Sequence, residues 1–336
     1  MRSRRFGNSE LEVSEVGFGL WTLATDWWGK VDDKAGLVHA ALDAGITFFD
    51  TAPVYGQDGL GETLLAELLG ARDDVVITTK CGYDLDAERI APGHSERPHD
   101  WRPESVRRQL EQSLRRLGRD HIDLYQLHNP RMDAIEADAL WAELEAFRKE
   151  GKVRELGVAL GPAIGWVDEG LLALRERPIA SLQTVFNLLE QEPGITFAAE
   201  PAVAEGRAGL IGRVPHASDV LSGKVTRDTE FEGDDHRAHR KKENLLDLFD
   251  KADTLDFLHA PESGRTIGQA AVAGILAFDG FTTVLPTCVT ADEVREYAAA
   301  SELPLSSDEK AQLDELWRDN FGVTDRYEMP LKSSTG

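Results

Sequence analysis

The 336-residue chain carries 60 Asp and Glu against 37 Lys and Arg, and the net charge of -23 repels nucleic acid and anionic membrane surfaces at long range. Hydrophobic residues make up 41% and charged residues 29%, enough for a sizeable core, while no apolar run approaches the roughly 18 residues that a membrane helix needs. Nucleic-acid binders and membrane-spanning proteins are set aside on these grounds.

In chain order, the basic opening MRSRRFGNSELEVSE lacks the apolar middle of a secretory signal, which predicts a cytoplasmic start. Cys81 and Cys288 fit a reducing compartment and make no disulfide framework. The acidity suits either a high-salt cytoplasm or an acidic mesophile. β-Branched apolar runs predict strands over 15–19, 46–50, 75–80, 122–128, 153–160, 181–186, 209–214 and 282–286. Amphipathic spacing predicts helices over 34–44, 103–117, 138–149, 266–276 and 291–300, and one more from Ser306 to about Trp317. The helix over 103–117 is the clearest: Pro103 suits the first position, Val106, Leu110, Leu114 and Leu117 form one stripe, and Gly118 ends it.

Eight strands alternating with helices predict an α/β fold, a closed parallel (β/α)8 barrel. No compositional break divides 1–336, so a single domain is expected. The polar stretch 226–244 reads as an inserted loop over the barrel mouth, and the tail 318–336 as a segment folding over the opening. HRAH at 236–239 has no third ligand in register, so it reads as solvated surface and no metal site is expected. No sustained heptad repeat specifies an oligomeric state.

In a parallel barrel, residues at the C-terminal strand ends share one rim. Asp50, Lys80 and His128 end the second, third and fourth predicted strands, and Tyr55 lies on the loop after Asp50. A phenol near pKa 10 exchanges protons poorly at neutral pH, and an adjacent ammonium favours its ionised form. Lys80 supplies that charge, Asp50 keeps Lys80 protonated, and His128 orients a substrate oxygen. Together they form a general acid for a carbonyl oxygen or a general base for an alcohol. No side chain delivers hydride, so a nicotinamide cofactor is implied. Taken singly, each of the four also fits a structural role.

The segments DAGITFFDTAPVYG, TTK, IDLYQLHNP and GKVRELGV, in this order and spacing, resemble those of the aldo-keto reductase superfamily, and the likeness runs from about Arg5 to Trp317. The resemblance implies an eight-stranded barrel, NAD(P)H bound without a Gly-rich dinucleotide motif, and a small carbonyl, alcohol or sugar substrate. Carried over by motif, Asp50, Tyr55, Lys80 and His128 are the catalytic four, with Tyr55 the proton donor. Implied cofactor contacts are Gly19, Leu20 and Trp21 in GFGLW, Asp50, Gln183 for the carboxamide, Arg213 and Pro215 in RVPHASDVLSGK, and Cys288 and Glu296 in LPTCVTADEVREY.

The chain also departs from that pattern. Ala159 and Leu160 stand where the family has Ser-Asn, and Arg213 replaces the tyrosine that stacks on nicotinamide. A guanidinium there favours the reduced ring over the cationic oxidised one. Thr287 and Glu293 stand near positions where NADPH-binding members carry Lys or Arg, and Tyr297 where an asparagine meets adenine, which leans the expectation towards NADH. Arg295 is a substitute anion contact, and Cys81 reads as a strand-end filler. Trp21, Trp27, Trp28, the CGYD segment and Phe321 are expected to wall the substrate site. The alternatives are a nucleotide-binding regulatory subunit and a non-redox acid/base enzyme.

Overall fold

Period-2 runs of Val, Ile, Leu and Phe form short strands, and the computed structural model describes them within residues 1–70, 72–87, 97–161, 166–231, 233 and 235–327. Two strands, β1 (Ser3–Arg5) and β2 (Glu12–Ser14), pair antiparallel. Eight more follow: β3 (Phe18–Gly19), β4 (Phe48–Asp50), β5 (Val76–Cys81), β6 (Ile122–His128), β7 (Val153–Ala159), β8 (Ser181–Val185), β9 (Gly209–Arg213) and β10 (Phe281–Leu285). They lie side by side in chain order in one eight-stranded parallel sheet. The ring closes where Gly17 N donates to Val284 O and Val284 N donates to Glu15 O, both at 2.9 Å. The fold is the (β/α)8 barrel that the alternation predicts.

Each predicted strand has its counterpart, most of them trimmed or shifted at the ends and Ile122–His128 with the predicted bounds. The first is the shortest, because Val16 makes only an isolated bridge to Val284. Helices Pro103–Leu117 and Asp138–Lys149 have the predicted bounds. Gly118, at φ 61, ends the former in a left-handed cap. Thr266 with Gln269, Thr290 with Glu293 and Ser306 with Glu309 form capping boxes at the starts of Ile267–Leu276, Ala291–Ala299 and Ser307–Arg318.

The hairpin β1–β2 and the helices Leu60–Leu69, Val167–Glu176 and Lys242–Ala252 have no counterpart in the sequence reading. The hairpin covers one end of the barrel, where Phe6, Leu11 and Val13 cluster with Phe48, Leu124, Ile211 and Leu285. Arg4 ties it down by donating to Phe281 O at 2.8 Å and Leu276 O at 2.9 Å. Outward strand residues such as Phe49, Ile77, Leu127 and Leu182 pack with the helices in the main core.

The HRAH run within 226–244 is not the solvated surface expected, because ion pairs and aromatic contacts bind this stretch down. Arg240 pairs with buried Glu190 at 2.7 Å, Arg237 pairs with Asp219, and His236 N donates to Trp27 O at 2.8 Å. The end of the stretch is already helical, in Lys242–Ala252. The tail runs beside that helix: Arg326 pairs with Asp247 at 2.8 Å and with Asp250 at 2.6 Å, and Phe321 is buried with Leu248, Leu255 and Leu313. Phe321 is therefore part of a satellite core and not a wall of the substrate site. Residues 328–336 of the expected tail lie outside the described residues.

Candidate active site

Strand alternation decides which side chains reach the barrel interior. On β4, Phe48 and Asp50 point in while Phe49 joins the outer core. On β5 the same parity turns Thr78 and Lys80 inward and Cys81 outward into the main core. Leu124, Gln126 and His128 of β6, Gln183 of β8, and Ile211 and Arg213 of β9 complete the inner set by the same alternation. At the C-terminal rim these positions are polar.

Tyr55 reaches the rim by a turn. Tyr55 N donates to Ala52 O at 3.1 Å, and Gly61 N donates to Tyr55 O at 2.9 Å. Gly56 adopts φ +78, and a Cβ there would meet Leu60 Cβ at 2.8 Å and Ala24 O at 3.0 Å, so only glycine lets the chain fold back this closely.

Lys80 Nζ donates to Asp50 Oδ1 at 2.7 Å, to Thr51 O at 2.9 Å and to Tyr55 Oη at 3.1 Å. Lys80 is 1% exposed and Asp50 4%, so little water competes for the ammonium. The His128 ring stands edge-on to Tyr55 at 5.8 Å between centroids and to Tyr83 at 5.0 Å. Asp50 Oδ2 accepts from Gln183 at 3.2 Å and from Gln126 at 3.4 Å. The four residues singled out from the sequence meet at one rim.

Burial has the largest effect on Tyr55 and pushes the phenol above its ordinary pKa, and the opposing charge of Lys80 does not overcome it. Lys80 favours the phenolate as expected, but burial outweighs it, and at neutral pH Tyr55 keeps its proton. Burial also opposes the Lys80 ammonium, but the Asp50 charge, Tyr55 and their hydrogen bonds outweigh it and hold Lys80 above the usual lysine value. Burial, with the charge of Lys80 adding to it, holds His128 well below the usual histidine range, so the imidazole is neutral.

Around His128, the residues His99, Trp101 and Asn129 escaped the sequence reading, and Tyr83 entered it only within CGYD. His99 Nε2 donates to His128 O at 3.0 Å, and the His99 ring stacks between Tyr83 at 4.2 Å and Trp101 at 4.9 Å. Asn129 Nδ2 donates to Tyr83 Oη at 2.6 Å. Of these only Tyr83, inside CGYD, carried a sequence signal, since His99 and Trp101 return to the rim by tertiary folding. Gln126, two positions before His128 on one strand, was open to period-2 counting.

The expected cofactor contacts spread along the same face. A Cβ at Gly19 would meet nothing within 4 Å, so an open floor lies beside β3. Leu20 is fully enclosed and its N–H donates to Asp50 O at 2.8 Å. Trp21 packs edge-on against Trp27 at 6.0 Å, Trp28 at 5.7 Å and His236 at 5.4 Å. HRAH is thus partly docked on the tryptophans, not free surface. Pro215 and Cys288 are buried, and the Cys288 carbonyl accepts from Thr22 Oγ1 at 2.9 Å. Glu296 Oε1 accepts from Thr266 Oγ1 at 2.6 Å. Arg213 Nη2 donates to the carbonyls of Leu160 and Gly161. Cys81 is enclosed, and burial pushes its thiol up to about 12, which fits the filler reading. Arg295 pairs with Asp292 at 2.8 Å on an exposed face.

The acid/base cluster stands on the C-terminal rim of an eight-stranded parallel barrel, and the comparisons assign this arrangement to a class of oxidoreductases. The profile of the Aldo/keto reductase family matches residues 15–318, and the chain belongs to that family. Aldo-keto reductase YhdN of Bacillus subtilis is 30% identical over 290 residues, covering 82% of this chain and 81% of its own. The NADH-specific methylglyoxal reductase of Escherichia coli is 27% identical, covering 94% of this chain and 98% of its own. The solved structure of the glycerol dehydrogenase AKR11B4 from Gluconobacter oxydans superposes with a TM-score of 0.78 at 28% identity, over 98% of both chains. The chain is an oxidoreductase of the aldo-keto reductase type, a family that uses NAD(P)H. Among the described residues no helix is long and apolar enough to cross a membrane.

Proposed function

We propose that the protein reduces an aldehyde or ketone, or runs the reverse oxidation, with Tyr55 as the proton donor and NADH as the preferred cofactor. The observation that carries this reading is the single Lys80 ammonium within hydrogen-bonding reach of both the Tyr55 hydroxyl and the Asp50 carboxylate. A buried phenol that keeps its proton suits an acid aimed at a carbonyl oxygen. Neutral His128 beside it offers one N–H to the same oxygen and fixes the carbonyl's orientation. As the C=O π pair collapses onto oxygen, the Tyr55 proton moves to it, and the Lys80 charge stabilises the phenolate left behind.

The residues present fit a nicotinamide nucleotide. Gly19 leaves an open floor, and Tyr297 Oη is buried without a partner among the described residues. Gly19, Trp21, Gln183 and Glu296 are the side of the site that would hold it. When bound, NAD(P)H supplies the two electrons and the hydrogen that the carbonyl carbon receives.

The preference for NADH rests on Glu293. Its carboxylate caps the helix Ala291–Ala299, accepting from Val289 N at 2.7 Å, and it also engages Lys224. A second anion there would meet an existing carboxylate and find that cation already taken. Substrates of the size and polarity named for the relatives, small aldehydes, glycerol and aldoses, fit a rim walled by Trp21, Trp28 and Tyr83. Titration with NADH and NADPH, followed by nicotinamide fluorescence, tests the reading. The expected result is saturable binding of both, about tenfold tighter for NADH. Absence of any response to either nucleotide would remove the redox reading.

A further inference from the structure

Arg213, half-buried at the end of β9, stands apart from the other arginines that pack against the fold. Arg240 pairs with Glu190, Arg237 with Asp219, Arg265 with Glu309 and Arg116 with Glu62. The chain holds 60 acidic residues against 37 basic ones, so carboxylate partners are plentiful. Yet among the described residues no carboxylate lies within ion-pair distance of Arg213. Its hydrogen bonds go to two backbone carbonyls, at Leu160 (3.0 Å) and Gly161, and both are made by Nη2. A guanidinium has five N–H donors, so the three on Nε and Nη1 have no protein acceptor among the described residues.

Its position gives this surplus a direction. Arg213 ends β9, two residues beyond the inward Ile211, and its charge is felt by Tyr55, Asp50 and Tyr83. Asp50 is already matched by Lys80 at 2.7 Å, and His128 is neutral. The rim therefore carries one net positive charge inside a strongly acidic molecule. Burial pulls the guanidinium below its ordinary pKa, and the opposing charges of Tyr55 and Asp50 do not cancel that effect. A planar fork with donors to spare matches the oxygens of a carboxylate or phosphate.

We propose that Arg213 is a specificity-determining residue that selects carbonyl substrates bearing an oxyanion, a carboxylate or a phosphate, over neutral ones of the same size. This rests on the reading of the Tyr55 rim as a carbonyl-reducing site. It adds the class of substrate and leaves the acid/base roles as they stand.

The test uses matched pairs: 4-oxobutanoate against butanal, and glyceraldehyde 3-phosphate against glyceraldehyde, with NADH. The wild-type protein is expected to favour at least one charged member by about tenfold or more in kcat/KM, with the favoured pair telling carboxylate from phosphate. Arg213→Met should collapse that ratio towards one, while Arg213→Lys, which keeps the charge but loses the fork, should retain part of it. An unchanged ratio in Arg213→Met overturns the proposal. So does a fall in NADH affinity that accounts for the whole loss, which would give the guanidinium to the cofactor. Binding of 4-hydroxybutanoate and of glycerol 3-phosphate to the NADH complex is read separately by fluorescence. If no carbonyl is turned over yet either anion binds in an Arg213-dependent way, the anion site stands and the reductase reading fails. If neither anion binds and no pair is discriminated, the anion site fails.

Discussion

The two ends of the barrel interior differ within two residues of strand. Phe48 gives way to Asp50 on β4, Leu124 to Gln126 and His128 on β6, and Ile211 to Arg213 on β9. The span is roughly 6–7 Å of strand rise. Towards the hairpin, Phe6 stands edge-on to Phe48 at 5.6 Å between centroids, and the cluster is apolar and buried. At the opposite rim, a buried ammonium and carboxylate pair with each other, and the ammonium also donates to a half-buried phenol. The contrast teaches that stability and chemistry are laid out along one axis. The apolar end lets the strands close, and the closed strands hold the polar groups in register.

Three experiments bear on this division, with the Arg213 and cofactor tests described above. The largest effect is expected from Tyr55→Phe, which deletes the proton donor and keeps the ring. Turnover should fall by about 10²–10⁴-fold while NADH affinity and the unfolding midpoint stay close to wild type. Retained turnover would mean that another group donates the proton. Next, Phe48→Ala at the apolar end should cost about 3–5 kcal/mol in denaturant unfolding, with turnover per folded molecule nearly unchanged. A loss of turnover without a loss of stability would erase the proposed separation of the two ends.

The smallest effect is the pH profile. The protonated phenol is the active form in reduction, and its pKa is raised, so kcat/KM for reduction should stay flat to about pH 9 and fall only as pH climbs past the ordinary tyrosine value near 10. The reverse oxidation needs the deprotonated form and should rise over the same alkaline interval. His128 is held low, so no break is expected near pH 6.5. A reduction limb at that pH would show that the imidazole titrates during turnover.

The sheet was legible because each barrel strand is a short β-branched or aromatic run between turn residues. In VVITTK and IDLYQLH the local pattern and the global fold agree. The hairpin Ser3–Ser14 was not, because SRRFGNSELEVS is short and charged and pairs only with help from distant carbonyls at Leu276 and Phe281. The helix Val167–Glu176 follows Trp166 at φ 62, without the Ser, Thr or Asp cap that marks a start, and Lys242–Ala252 was hidden in a polar run.

By itself the sequence determined the barrel and the identities of Asp50, Tyr55, Lys80 and His128, since strand period and strand-end position are local properties of the chain. Tertiary structure alone decided the protonation of Tyr55, where desolvation outweighs the lysine it touches. It also decided the docking of His236 on the tryptophans and the bonding of Arg213 to backbone carbonyls, with no carboxylate partner among the described residues. Burial and the pairing of charges depend on which distant segments arrive together, and that is written in no single stretch of residues.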